Sequence, residues 1–260
     1  MSQSDSPLAT APVNPTLPAA TPPQEIERKF IADPSAATEP AKAVWHIEQG
    51  YLDDNISIHI VPRDEDDEDS VERAYLTVVR STEVDSGAQM ITKVPVAFAR
   101  DVQQFANPAT TKTGARIRLR TDAATGETEA FLTIKGEAKG AARMELETLI
   151  DAVFSREALD CAVKMKLEKT RHLIEFEGQD WELDVFKGAL AGLVLAELEL
   201  KSEDQAITIP SWVGQEVTED GRYSNAALAK RVKKKEGISD LGFFEKVHEK
   251  TVGGIRKIGF

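Results

Sequence analysis

Glu25, Glu27 and Lys29 stand at every second position of the stretch EIERKF, with Ile26, Arg28 and Phe30 between them. Side chains two apart on a strand share a face, so two carboxylates and an ammonium would line up together. The same spacing recurs along the chain: Arg116, Arg118 and Arg120; Thr133 and Lys135; Arg143, Glu145 and Glu147; Lys169 and Arg171; Glu182 and Asp184; Glu197, Glu199 and Lys201. Arginines repeated on one strand face repel each other and call for a polyanion, and the guanidinium fork matches phosphate. Clustered glutamates call for a hard divalent cation with oxygen ligands, such as Mg²⁺ or Mn²⁺. Together they describe a site for a metal ion and a phosphate chain, in which Glu25 and Glu27 hold metal and Lys29 holds phosphate or acts on water.

Taken singly, any one of these faces reads as solvated sheet. Solvated faces, however, mix Thr, Ser, Gln and Lys freely, whereas six or more segments here carry Glu or Arg at alternate positions with apolar residues on the reverse. That pattern fits an ionic interior and an apolar outside covered by helices and loops. A closed sheet of about eight strands encloses room for one small ligand.

The elements that would position these residues are mostly strands, by their period of two: residues 25–30, 46–52, 74–80, 115–120, 130–136, 143–150, 169–177, 181–186 and 195–200. Turn sequences separate several of them, ATGE at 124–127 and EGQD at 177–180 among them. SREALDCAVKMK (155–166) reads as a helix, with Leu159, Val163 and Leu167 at helical spacing, and SNAALAKRVKK (224–234) as another capped by Ser224 or Asn225. Residues 60–114 look like an insertion. Its first part holds the acidic run DEDDED (64–69), expected as solvated loop, and MITKVPVAF (90–98) is a further strand candidate. The expected organisation is a disordered leader at 1–23, a tunnel domain at 24–236 and a tail at 237–260 that either plugs one mouth of the tunnel or makes a homodimer contact.

Of the 260 residues, 41% are hydrophobic, enough for a real core, and the net charge of −12 argues against non-specific binding to nucleic acid or to anionic membrane. The single cysteine, Cys161, excludes an internal disulfide and suits a reducing cytoplasm; it is expected as a small buried residue on a helix. The four histidines lie too far apart in sequence to suggest a zinc pair, and Trp45, Trp181 and Trp212 are expected to serve packing.

EIERKF, QGYL (49–52), RLR (118–120), LTIKG (132–136), RMELE (143–147), KTR (169–171), ELDVF (182–186), AELEL (196–200) and PSWVGQEVTEDGRYSN (210–225) follow one another in an order that resembles the CYTH family, the triphosphate tunnel metalloenzymes. The resemblance spans roughly residues 25–230 apart from the insertion. It implies an α+β, mainly antiparallel fold: an eight-stranded closed β-barrel, or tunnel, with a few flanking helices. It implies a metal-dependent phosphoanhydride hydrolase using Mg²⁺ or Mn²⁺. Carried over, Glu25, Glu27, Asp184, Glu197 and Glu199 take metal-binding positions, and Lys29, Arg118, Arg120, Lys135, Arg143, Lys169 and Arg171 take triphosphate-binding positions. Tyr51 matches a tyrosine that pairs with the lysine of ExExK in catalysis, so Lys29 and Tyr51 are the catalytic candidates; base work would require a lowered pKa at Lys29. Arg116 departs from the family pattern, and Glu145 and Glu147 read as ion-pair partners of the arginines.

Inorganic tripolyphosphate is the expected substrate by analogy with bacterial members. Thiamine triphosphatase and nucleoside triphosphatase are the alternatives. Adenylate cyclase is weaker, because cyclases of this superfamily carry His-Phe shortly before ExExK, where this chain has PAATPPQ. A binding module that holds polyphosphate without turnover is the reading from a different class.

Overall fold

The computed structural model describes residues 24–52, 56–66, 70–79, 88–105, 115–139, 142–161, 163 and 165–234, and their side chains except at 24, 25, 105 and 135–144. The leader, the tail, the end of DEDDED and the polar stretches at 80–87 and 106–114 lie outside the described residues. Twelve strands and three helices are described. The strands are β1 (Gln24–Ala32), β2 (Ala43–Leu52), β3 (Ile56–Val61), β4 (Arg73–Val79), β5 (Gln89–Val94), β6 (Ala115–Asp122), β7 (Thr128–Lys139), β8 (Ala142–Ile150), β9 (Met165–Phe176), β10 (Gln179–Phe186), β11 (Val194–Leu200) and β12 (Val213–Glu216). The helices are α1 (Val96–Phe105), α2 (Ala152–Cys161) and α3 (Asn225–Lys233).

Nine strands form one antiparallel sheet in the order β11-β10-β9-β2-β6-β7-β8-β1-β12, and β11 also pairs with β1. The fold is thus α+β and mainly antiparallel, and the sheet is a large curl, but the full closure expected of an eight-stranded barrel is thin at one seam. β1 pairs with β11 through six residue pairs, from Ile26–Leu200 to Ile31–Leu195. It meets β8 only at Gln24–Met144 and Glu25–Arg143. Further along, β12 takes that edge of β1, with a shift of register between Phe30 and Ala32.

Short-range chemistry sets the hairpins. The Asp122 carboxylate accepts from the backbone N–H groups of Ala124 and Thr125, both at 2.8 Å, and turns β6 into β7. Glu177 and Gly178 link β9 to β10 with φ of 51° and 75°, the left-handed pair that a two-residue hairpin needs. The helix expected over 155–166 ends at Cys161, and Met165 already begins β9. Leu167 therefore belongs to a strand, where its spacing from Leu159 is a coincidence of periods 2 and 3.6. Cys161 is half-exposed at the helix end instead of buried.

The insertion is more ordered than its composition suggests. β3, β4 and β5 form a separate three-stranded sheet. Leu76, Val78, Met90, Val94 and Phe98 of this unit share one apolar cluster with Ile117, Leu119, Leu132, Ile134 and Leu146, which are the reverse faces of β6, β7 and β8. The apolar outside inferred from the alternation is real, and the insertion covers part of it. Phe30, Trp181, Leu183, Ala196 and Leu198 form the core behind β1, β10 and β11, where Trp181 packs edge-on against Trp212. No helix among the described residues is long and apolar enough to cross a membrane.

Gly50 is required by packing. A Cβ there would lie 2.4 Å from Val163 Cγ1 and 2.8 Å from Leu159 Cδ2, both buried against β2. Gly50→Ala is expected to lower stability by about 1–3 kcal/mol, read as a lower denaturation midpoint; an unchanged midpoint would mean that α2 shifts freely.

Candidate active site on the concave face

Alternation along the strands of the large sheet sends the charged positions to the concave face. Glu27, Gln49, Arg116, Arg118, Glu145, Glu147, Lys169, Arg171, Glu182, Glu197, Glu199 and Asn225 line a polar cavity of about 210 Å³. Register makes the juxtapositions specific. Glu27 lies opposite Glu199, and Lys29 opposite Glu197. Glu182 lies opposite Glu197, Asp184 opposite Arg171, and Tyr51 opposite Arg116.

The cavity has an open end and a closed end. Side-chain exposure falls along the arginine row from 31% at Arg120 to 16% at Arg118 and 8% at Arg116. It falls likewise from Glu27 to Lys29, from Glu182 to Asp184 and from Glu147 to Glu145. One step further in, the concave positions become apolar: Ile31, Leu195, Phe186, Leu167 and Tyr51 pack with Leu228 and Ala229 of α3. The Ser224 hydroxyl caps that helix by accepting from the Ala227 N–H. The C-terminal part of the chain thus covers the inner end of the cavity through α3, within the described residues.

Two charge clusters occupy the walls. In the first, Asp184 is wholly buried. It accepts from Lys169 Nζ and, at 2.7 Å each, from Arg171 Nε and Nη2. Arg171 also donates to Glu197 at 2.8 Å and to Glu182. Glu197 further pairs with Lys29 Nζ at 3.0 Å. Burial works against the Glu197 charge, but Lys29, Lys169 and Arg171 outweigh it and hold the carboxyl far below its ordinary range. Burial pushes Glu182 up, against Arg171. Burial, with Arg171 alongside, pulls Lys169 below the usual lysine range.

In the second cluster Glu147 is the hub. It accepts from Arg118 Nη2 at 2.8 and 3.0 Å, from Thr133 Oγ1 at 2.7 Å and from Arg116 Nη2 at 3.4 Å. Arg120 donates to Glu129 at 2.6 Å and lies over the rings of Trp45 and Phe131. Trp45 is half-buried, with a guanidinium on its face. The Nε atoms of Arg116, Arg118 and Arg120 are all buried without a hydrogen-bond partner among the described residues. An orphaned donor of this kind costs about 1–3 kcal/mol, so three along one row favour an anion there.

The surroundings of the expected catalytic and metal residues are as follows. In this arrangement Lys29 is held in its charged form, which favours phosphate binding over base work. Burial opposes its charge, but Glu197 and Glu27 prevail and raise its pKa. The expected Lys29–Tyr51 hydrogen bond is replaced by two carboxylate contacts, to Glu197 at 3.0 Å and Glu27 at 3.2 Å. The Tyr51 hydroxyl instead accepts from Gln49 Nε2 at 3.0 Å, and burial first of all pushes its pKa up to about 12. Asp184 and Glu197, both expected on metal, form ion pairs here, Asp184 with Lys169 and Arg171 and Glu197 with Arg171 and Lys29. The side chains of Glu25, Lys135 and Arg143 lie outside the described residues; their backbones lie on β1, β7 and β8.

A hard divalent cation fits the remaining acids. Glu27 and Glu199 face each other across β1 and β11, where like charges destabilise the pair. Glu199 has no counter-cation among the described residues. No group of three or more potential ligands converges among them either.

Sequence reading passed over Gln49, Glu182, Arg116 and Asn225 as site residues. The first and last are neutral and carry no charge signal. Glu182 shares its alternate spacing with Asp184 and could have been included on that ground.

Known proteins resemble the chain in parts. A family model described as the CYTH domain matches residues 104–232. An inorganic triphosphatase of Acetivibrio thermocellus is 41% identical over 116 residues, covering 44% of this chain and 70% of that protein. An inorganic triphosphatase of Nitrosomonas europaea is 46% identical over 105 residues, covering 39% of this chain and 69% of that protein. A crystal structure of an inorganic triphosphatase aligns at 30% identity over 79% of this chain and 93% of the other, with a TM-score of 0.40.

Proposed function

Because the chain belongs to the CYTH domain family, we propose that it is a metal-dependent triphosphatase that cleaves inorganic tripolyphosphate to pyrophosphate and phosphate, with the concave face of the curled sheet as its tunnel. The observation that carries this reading is the row of arginines whose buried Nε atoms have no partner, set in one cavity with the opposed carboxylates Glu27 and Glu199. The choice of tripolyphosphate is supported by the relatives named inorganic triphosphatases. Residues 24–236 would form the working unit, with the insertion as a cover and 237–260 as a tail, and the lone cysteine suits the cytoplasm.

Phosphoryl transfer asks mainly for positioning and charge neutralisation. Arg118 and Arg120 would bind phosphoryl oxygens through their free Nε edges. Lys169 and Arg171, fixed by Asp184, would present cationic charge from the opposite wall. Lys29, kept protonated by Glu197 and Glu27, would bind phosphate and not take a proton. Glu27 and Glu199, with Glu25 two positions earlier on the strand, would hold Mg²⁺ or Mn²⁺, which when bound neutralises phosphate oxygens and acidifies a water. Lys135 and Arg143 join the phosphate-binding set by position alone. Tyr51, its hydroxyl oxygen accepting from Gln49, has its own proton free to donate.

Purified protein incubated with tripolyphosphate and Mg²⁺ should release phosphate, faster than from thiamine triphosphate or ATP and without forming cyclic AMP. Tight binding of tripolyphosphate with no release would instead mark a binding module. Glu199 is exposed at the open end, so Glu199→Gln should keep the fold while raising the Mg²⁺ needed for half-maximal rate by at least about tenfold. An unchanged Mg²⁺ requirement would remove Glu199 from the metal set.

A further inference from the structure

Arg116 is the member of the arginine row that the family pattern does not supply, and it is the innermost. Its backbone pairs with Tyr51, at the boundary where the concave face turns apolar. The residue is buried within the cavity wall. Among the described residues one nitrogen, Nη2, carries its protein contacts: Thr133 Oγ1 at 3.0 Å, Glu145 Oε1 at 3.2 Å and Glu147 Oε2 at 3.4 Å. Two of these are long, and the Nε atom is buried with no acceptor among the described residues. A guanidinium serving only to neutralise Glu145 and Glu147 would turn its fork to a carboxylate, as Arg156 does in its two-pronged pair with Glu48. Arg116 keeps one edge back.

From this geometry we propose that Arg116 is the innermost phosphate-binding residue of the site, taking the terminal phosphoryl group of an unbranched polyphosphate chain. The proposal rests on the triphosphatase reading and extends it to chain orientation. On β6 the row from Arg120 to Arg116 spans roughly 13 Å of strand, leading from the open end to the apolar end closed by α3. A linear anion enters past Arg120, lies along Arg118 and stops at Arg116. A substrate carrying a nucleoside or thiamine must keep that organic end at the mouth, since the inner end offers ionic and then tightly filled apolar surroundings. Arg116 thereby favours substrates whose free phosphate terminus leads.

The test must separate anion binding from neutralisation of the two glutamates. The double substitution R116M/E145Q removes one charge of each sign and so leaves the net charge of the site unchanged. It should denature near the wild-type midpoint, yet bind tripolyphosphate at least about tenfold more weakly by calorimetry and show a KM raised by a similar factor with little change in kcat. Pyrophosphate, too short to span the row, should lose less. Affinity within twofold of wild type would overturn the proposal and leave Arg116 as a counter-ion. Arg116→Lys, which keeps the charge but not the Nε edge, gives the same reading if the double variant does not fold: weaker binding supports the subsite, and unchanged binding overturns it. Should the wild type bind tripolyphosphate without hydrolysing it, the triphosphatase reading fails while the calorimetric comparison still decides Arg116. Should the wild type not bind it, both fall.

Discussion

Replacing Asp184 by Asn should destabilise the protein by about 3–5 kcal/mol, the cost of breaking a buried ion pair from one side. Asp184 is wholly buried and accepts from Lys169 and twice from Arg171. Without its charge, two buried cations remain, and the carboxylates left to them are Glu197, already shared with Lys29, and Glu182 near the open end. Asn can still accept one hydrogen bond, but its NH₂ would face cationic donors. Denaturant unfolding would show the midpoint falling at unchanged slope, and turnover should fall with it because Lys169 and Arg171 lose their anchor. The contrast with a ligand role is sharp. Were Asp184 a metal ligand, the variant would keep its stability in the absence of metal and lose its response to Mg²⁺. A stable, Mg²⁺-insensitive Asp184→Asn protein would place Asp184 in the metal set.

Arg118→Met should lower kcat/KM for tripolyphosphate by about 10²–10³-fold, the usual cost of removing one preorganised donor from developing negative charge. The fold should survive, because Glu147 keeps the Thr133 hydroxyl at 2.7 Å and Arg116 at 3.4 Å. Methionine also fills much of the volume beside Phe131, over whose ring the guanidinium lies at 4.9 Å. Burial, with Arg116 nearby, lowers the pKa of Arg118 below the ordinary arginine value, so an anion that relieves this crowding is favoured. Circular dichroism would check the fold and steady-state phosphate release the rate. A rate within threefold of wild type would take Arg118 out of the site.

The strands of the curled sheet were legible because alternation is a local signal. EIERKF, ARIRLR and LAELEL each declare an ionic face and an apolar one, and each lies within the strand observed. What alternation cannot carry is register. Nothing local in WELDVF tells that Asp184 will face Arg171 and be enclosed, while Glu182 two residues earlier reaches the open end. That distinction depends on pairing with KTR, more than ten residues away. The same limit explains Lys29: its partners Glu197 and Thr218 come from segments far along the chain. β12 is only four residues long and carries little periodic signal. The helix α1 was hidden because MITKVPVAF joins the end of β5 to the start of a helix, with Pro95 at the break.

The small sheet of the insertion has a mechanical bearing on the arginines. Ile117 and Leu119, which it helps to cover, belong to the very strand that carries Arg116, Arg118 and Arg120 on its other side. One backbone is thus bolted to a hydrophobic roof above and aims three guanidinium groups below. Productive aim in such sites tolerates about half an ångström. Slack in the roof, even from a change that touches no charged residue, would be felt as a blurred grip on the substrate.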